Sequence, residues 1–77
     1  MATKHRMKIG EYALGGIIDI EIDRNANIYI TARDWDTKQP VHTGMFSFVN
    51  KYKLRIWLED EITTPYYAEK IINKIYA

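Results

Sequence analysis

The sequence predicts an α+β domain in which an antiparallel sheet of three to four strands, a β-meander, is packed by a C-terminal helix. Three observations carry that reading. Residues 17–35, IIDIEIDRNANIYITARDW, alternate apolar and polar side chains twice, with a turn between. Residues 41–48 alternate again behind a polar turn closed by Pro40. From Pro65 onward the apolar residues recur at helical spacing.

The hairpin is the centre of the prediction. Ile18, Ile20 and Ile22 alternate with Asp19, Glu21 and Asp23, so one strand face is apolar and the other acidic. Arg24-Asn25-Ala26-Asn27 breaks the pattern, and asparagine tolerates the left-handed backbone that a hairpin turn needs. The second run places Ile28, Ile30 and Ala32 on one face and Tyr29, Thr31, Arg33 and Trp35 on the other. An isolated hairpin is marginal in water, so its isoleucines require further strands or a helix over them.

Before the hairpin, Met1 to Lys8 reads as a basic arm with Lys4, His5, Arg6 and Lys8, leading into a single domain over residues 9–77. The arm is either a solvated end or a phosphate-contacting segment. Ile9, Tyr12 and Leu14 could begin the first strand or cross the sheet edge. Gly15-Gly16 suits a bend or bulge. These glycines do not form a phosphate-binding loop pattern.

After the hairpin, Asp36-Thr37-Lys38-Gln39-Pro40 is a polar turn. Residues 41–48 then read as a third strand, with His42, Gly44, Phe46 and Phe48 on one face and Val41, Thr43, Met45 and Ser47 on the other. Residues 51–59, KYKLRIWLE, fit a fourth strand, since Tyr52, Leu54, Ile56 and Leu58 alternate with Lys51, Lys53, Arg55 and Trp57. A helix there would carry its cations first and Glu59, Asp60 and Glu61 last, against the macrodipole. The helical alternative stays open, because Leu54, Trp57 and Leu58 are spaced i, i+3, i+4 and Asn50 could cap. In the last element Thr64 suits the N-cap and Pro65 the first helical position, and Tyr67, Ala68, Ile71, Ile72 and Ile75 form one stripe.

Composition bounds the function. Seventy-seven residues make one domain, which at this size buries only roughly 60% of its unfolded surface. The chain is 47% hydrophobic, with twelve isoleucines, which excludes disorder. It has no cysteine, so disulfides, thiolate metal sites and thiol catalysis are excluded, and a reducing cytoplasmic setting fits. No apolar run nears the ~20 residues of a membrane span, and no apolar h-region follows the basic start. A net charge of +1 argues against both a strongly basic nucleic-acid binder and an acidic DNA mimic.

No constellation points to catalysis, a metal or a cofactor. Asp19, Glu21 and Asp23 lie on one strand face roughly 7 Å apart, but an exposed strand does not push carboxylate pKa values apart. Asp34 and Asp36 bracket Trp35 as turn-forming acids, and no EF-hand pattern follows. His5 and His42 make no HExxH, and Ser47 sits in no nucleophile elbow. His42 suits a core-edge or hydrogen-bonding position.

The polar face of the sheet carries the functional candidates. Tyr29, Arg33, Trp35 and Trp57 share it in this reading, with Asp34 and Asp36 as rim charges, and tyrosine, tryptophan and arginine are the residues of interface hot spots. The leading expectation is a non-catalytic module that binds another protein. The alternative is a single-stranded nucleic-acid-binding domain using Lys51, Lys53, Arg55, Lys4 and Arg6. A homodimer burying Tyr66, Tyr76 or a spare sheet edge is a third. The basic row Lys51, Lys53, Arg55 and the acidic row Asp19, Glu21, Asp23 are matched in spacing. Whether they pair with each other or leave a bipolar surface is open.

The succession GGIIDIEIDRNANIYITARDW, then GMFSF, then a C-terminal helix resembles small phage and mobile-element proteins of the anti-CRISPR type in size and element order across about residues 10–76. That resemblance implies a small inhibitor or accessory protein and transfers no residue. Thr43-Gly44-Met45-Phe46-Ser47-Phe48 is also distantly similar to the glycine-containing third-to-fourth-strand segment of the PC4-like single-stranded-DNA binders, which implies the nucleic-acid alternative.

Overall fold

The computed structural model describes residues 3–10 and 16–77. The expected roles of Tyr12, Leu14 and Gly15 fall outside these residues, as do Met1 and Ala2 of the basic arm. Strands β1 (Thr3–Lys8), β2 (Ile17–Ile22), β3 (Asn27–Arg33) and β4 (Pro40–Ser47) form one sheet in the order β1-β2-β3-β4. Every neighbour is antiparallel. Helix α1 (Lys51–Trp57) runs into a π-helical turn, Leu58–Ile62, and helix α2 (Pro65–Tyr76) follows. The fold is therefore the predicted α+β meander with a C-terminal helix.

The central hairpin forms as its alternation requires, with Ile20 opposite Ile30 and Ile22 opposite Ile28. Its turn is organised by Asp23, whose Oδ1 accepts the backbone N–H groups of Asn25 and Asn27, both at 2.9 Å. The left-handed residue in this turn is Ala26, with φ 61°, rather than either asparagine. Carboxylate acceptance of turn amides is a local motif that competes well with other backbone conformations.

Two elements differ from the sequence expectation. The basic arm is strand β1: Lys4 lies opposite Glu21, Arg6 opposite Asp19 and Met7 opposite Ile18. The fourth strand expected over residues 51–59 is instead α1 and the π-helical turn. The magnitudes explain the outcome. A misdirected macrodipole costs about 0.3–1 kcal/mol at an exposed end. Burying a leucine side chain yields about 1.5–3 kcal/mol, and the helix buries both Leu54 and Leu58 completely. The widened turn then closes with Thr63 N–H donating to Leu58 O at 2.8 Å, a five-residue step, and leaves Ile62 buried as well.

Ile18, Ile20, Ile28, Ile30 and Ala32 of the sheet meet Leu54, Leu58, Ile62, Ala68, Ile71, Ile72 and Ile75 in one core. Both helices thus lie on the same side of the sheet. Tyr76 closes the layer: its hydroxyl donates to Phe48 O at 2.6 Å and its ring lies 4.4 Å from that of Phe48.

Candidate functional site: the open face of the sheet

The parity that buries Ile18, Ile20, Ile28 and Ile30 sends Lys4, Arg6, Asp19, Glu21, Tyr29, Thr31, Arg33, Thr43 and Met45 to the other face, which neither helix covers; Ile17 shares that face by register, between Lys8 and Arg33, and is buried there. The strand registers align these residues in rows. Lys4, Glu21, Tyr29 and Met45 form one row, and Arg6, Asp19, Thr31 and Thr43 the next. Between β1 and β3 the surface dips into a shallow depression of about 640 Å³ lined by Lys4, Arg6, Asp19, Glu21, Tyr29, Thr31 and Arg33.

Asp19 is the hub of this face. Arg6 donates to both its oxygens, Nε to Oδ1 at 2.6 Å and the Nη2 group to Oδ2 at 2.8 Å. Arg33 Nε reaches Oδ2 from β3 at 2.8 Å, and its Nη1 donates to Lys38 O at 3.0 Å. One carboxylate therefore joins β1, β2 and β3, with Lys4 and Glu21 paired at 3.5 Å alongside. Fork-to-carboxylate bonding of this kind fixes guanidinium orientation as well as adding charge-assisted hydrogen bonds. Tyr29 donates to Asp23 Oδ2 at 3.2 Å, which holds its ring over the row and raises its pKa.

Three of the carboxylates, Asp19, Asp23 and Asp34, are held by local donors. Hydrogen bonds from Arg6, opposed by partial burial and aided by Arg33, hold Asp19 below the usual carboxylate range. The Asn27 N–H is the main cause of the same shift at Asp23, and the Thr37 N–H at Asp34. In each case the folded chain binds its proton less readily than the unfolded chain. These groups therefore stabilise the fold above the unfolded carboxylate pKa of about 3.9, and the contribution is lost as pH falls through the lower folded values. Thermal denaturation should give a melting temperature that is level from about pH 5 to about pH 7 and falls steeply below about pH 4. Asp19→Asn should lower the plateau and flatten the acid limb. An acid limb of unchanged slope would show that Asp19 is not a contributor.

The sequence-predicted contact residues separate in the structure. Tyr29 and Arg33 are on the open face. Trp57 is not: it lies on the helix side, stacked on His42 with ring centres 5.4 Å apart and 5.0 Å from Phe46. The assignment of Trp57 to the polar face rested on residues 51–59 being a strand, and it falls with that strand. Trp35 leaves β3 and opens the β3–β4 turn, half-buried against Gly16, where an added Cβ would come within 2.9 Å of its own. Asp34 organises this turn, its Oδ1 accepting the N–H groups of Asp36 and Thr37 at 2.9 Å each. Asp36 is exposed in the same turn.

The residues of the nucleic-acid alternative also disperse. Lys51, Lys53 and Arg55 are on α1, not in a strand facing the acidic row. Arg55 pairs with Glu69 at 2.7 Å and Glu59 at 3.9 Å, and Lys51 sits 5.1 Å from the centre of the Tyr76 ring. Lys4 and Arg6 take the partnership with the acidic row that the sequence offered to Lys51, Lys53 and Arg55. Sequence reasoning missed Arg6 as a partner of Asp19, and it missed Met45 as an exposed apolar side chain beside Tyr29. The signal for Arg6 was present, since Lys4, Arg6 and Lys8 alternate with His5 and Met7.

Among the described residues no three His, Asp or Glu side chains are grouped to hold a metal ion. No described helix is long and apolar enough to cross a membrane. Set against known protein families, curated proteins and solved structures, the chain matches none.

Proposed function

We propose that this chain is a non-catalytic binding module that docks another protein on the open face of its sheet. The observation that carries the reading is a sheet face that neither helix covers, on which a half-exposed Tyr29 and a 64%-exposed Met45 sit beside an ion cluster whose two guanidiniums, Arg6 and Arg33, are both committed to Asp19. Aromatic and apolar side chains ringed by oriented polar groups are the anatomy of a protein interface. A nucleic-acid backbone would have to draw Arg6 and Arg33 away from Asp19, whereas a protein surface can meet the cluster as it stands. General acid–base chemistry favours a pKa near the working pH, and the shifted carboxylates here are all shifted down.

The size and the strands-then-helices order support a concrete form: a small phage or mobile-element inhibitor or accessory protein of the anti-CRISPR type, acting stoichiometrically in the cytoplasm. The test is a photo-crosslinking amino acid installed at Thr31, in the middle of the face, with a control at Lys74 on α2. The expected result is one discrete protein adduct from position 31 that persists in high salt and disappears with Tyr29→Ala. Adducts to nucleic acid that vanish with added salt would overturn the reading, as would no adduct beyond the control.

A further inference from the structure

The two edges of the sheet are built differently. β1 presents Lys4, Arg6 and Lys8, and charged side chains are a standard means of blocking unwanted strand pairing. β4, PVHTGMFS, has no Asp, Glu, Lys or Arg, and among the described residues no strand pairs with its outer side. Phe48 N–H donates to Ala26 O at 2.8 Å, which sets the phase of the β3–β4 ladder. Antiparallel pairs alternate, so Ile28/Phe46 and Ile30/Gly44 are the pairs that exchange hydrogen bonds, and Thr43 and Met45 turn their N–H and C=O groups outward.

We propose that β4 pairs antiparallel with β4 of a second copy of this chain, about a twofold axis beside Gly44, so that two sheets become one. Thr43 of each copy then lies opposite Met45 of the other, and about four backbone hydrogen bonds form across the axis. An isologous contact requires a self-complementary edge. β4 meets this condition because it sets no like charges against each other, while β1 would oppose its own cations.

The flanking helix adds charge complementarity. Trp57 lies directly over Gly44, where an added Cβ would be 2.8 Å from its ring. Lys53 is four residues before Trp57 and Glu61 four residues after it, and Glu61 reaches back to His42 of β4 at 3.8 Å. A twofold axis beside Trp57 therefore brings Lys53 of each copy toward Glu61 of the other. The pairing leaves the open face around Thr31 uncovered, so it is independent of the docking function proposed above.

The test is sedimentation of the full chain from about 5 μM to about 500 μM, spanning the range in which such an edge contact saturates. It is read together with amide hydrogen exchange. The expected result is a monomer–dimer equilibrium in which the Thr43 and Met45 amides become protected as concentration rises. Met45→Lys, or Thr43→Lys should the first fold poorly, should shift the midpoint to at least tenfold higher concentration. A chain that stays monomeric throughout would overturn the proposal. So would a dimer indifferent to both variants, or growth beyond dimer through the β1 edge.

Discussion

Leu58→Ala should lower the free energy of unfolding by about 2–5 kcal/mol, while Ile56→Ala should cost less than about 1 kcal/mol. Leu58 and Leu54 are fully buried, whereas Ile56 is 41% exposed and Tyr52 74%. All four residues share one parity, so a strand would treat them alike. Only a helix divides them into a buried pair four residues apart and an exposed pair four residues apart. The buried pair lies between the sheet and α2, where the surroundings relax only partly around a cavity. Urea denaturation of the four alanine variants checks this. Equal losses at Ile56 and Leu58 would contradict the helix. A chain of this size has little stability to spare, so Leu58→Ala should be largely unfolded at physiological temperature.

Gly44→Ala should destabilise by about 1–3 kcal/mol, against the ordinary preference for alanine over glycine inside a strand. The added methyl would sit 2.8 Å from Cζ2 of Trp57 and 2.9 Å from Cε2 of Phe46. Neither ring is free to yield. Trp57 is stacked at 17° on His42 and tilted against Phe46, and both of those side chains rise from the same strand. The position therefore needs a glycine for space, not for backbone freedom. A double-mutant cycle separates the two. In a Trp57→Ala background the same substitution should cost clearly less, a coupling of roughly 1 kcal/mol or more, with the remainder resting on Phe46. Additive losses would show that Trp57 does not carry the cost.

How much of this was legible in the sequence follows from where water sits. β2 and β3 bury Ile18, Ile20, Ile28 and Ile30 on one face and leave Asp19, Glu21, Tyr29 and Thr31 at least partly exposed on the other, and alternation reports that contrast directly. Alternation alone therefore assigns Ile18, Ile20, Ile28 and Ile30 to the core and Tyr29, Thr31 and Arg33 to the other side. Residues 51–58 resisted because in so short a run Leu54 and Leu58 satisfy both a period of two and an i, i+4 step. The deciding facts, where α2 lies and how much Leu58 buries, are tertiary. The misplacement of Trp57 followed from that one ambiguity.

β1 was hidden for a different reason. Its alternation of Lys4, Arg6 and Lys8 with His5 and Met7 carries little hydrophobic contrast. What gives it a place is Asp19 and Glu21 on a neighbouring strand. Alternation puts the acidic stripe of β2 on a solvated face and matches its spacing to residues 51–55, whereas Lys4 and Arg6 of β1 pair with it and leave Asp19 and Glu21 half-buried. Charge pairing across a sheet depends on strand order, and strand order is not written in the local pattern. The pair Asp34 and Asp36 shows the converse. Turn chemistry is local, and the reading of Asp34 as an organiser of its own turn needed no tertiary information.

Because each strand lies beside its sequence neighbour, the hairpins of this chain can zip up in the order in which they leave the ribosome. The oily underside of the nascent sheet nevertheless stays bare until residues 54–75 emerge to shield it. Synthesis thus passes through an interval in which a nearly finished sheet is sticky, and chaperone demand should peak there rather than at the start of translation.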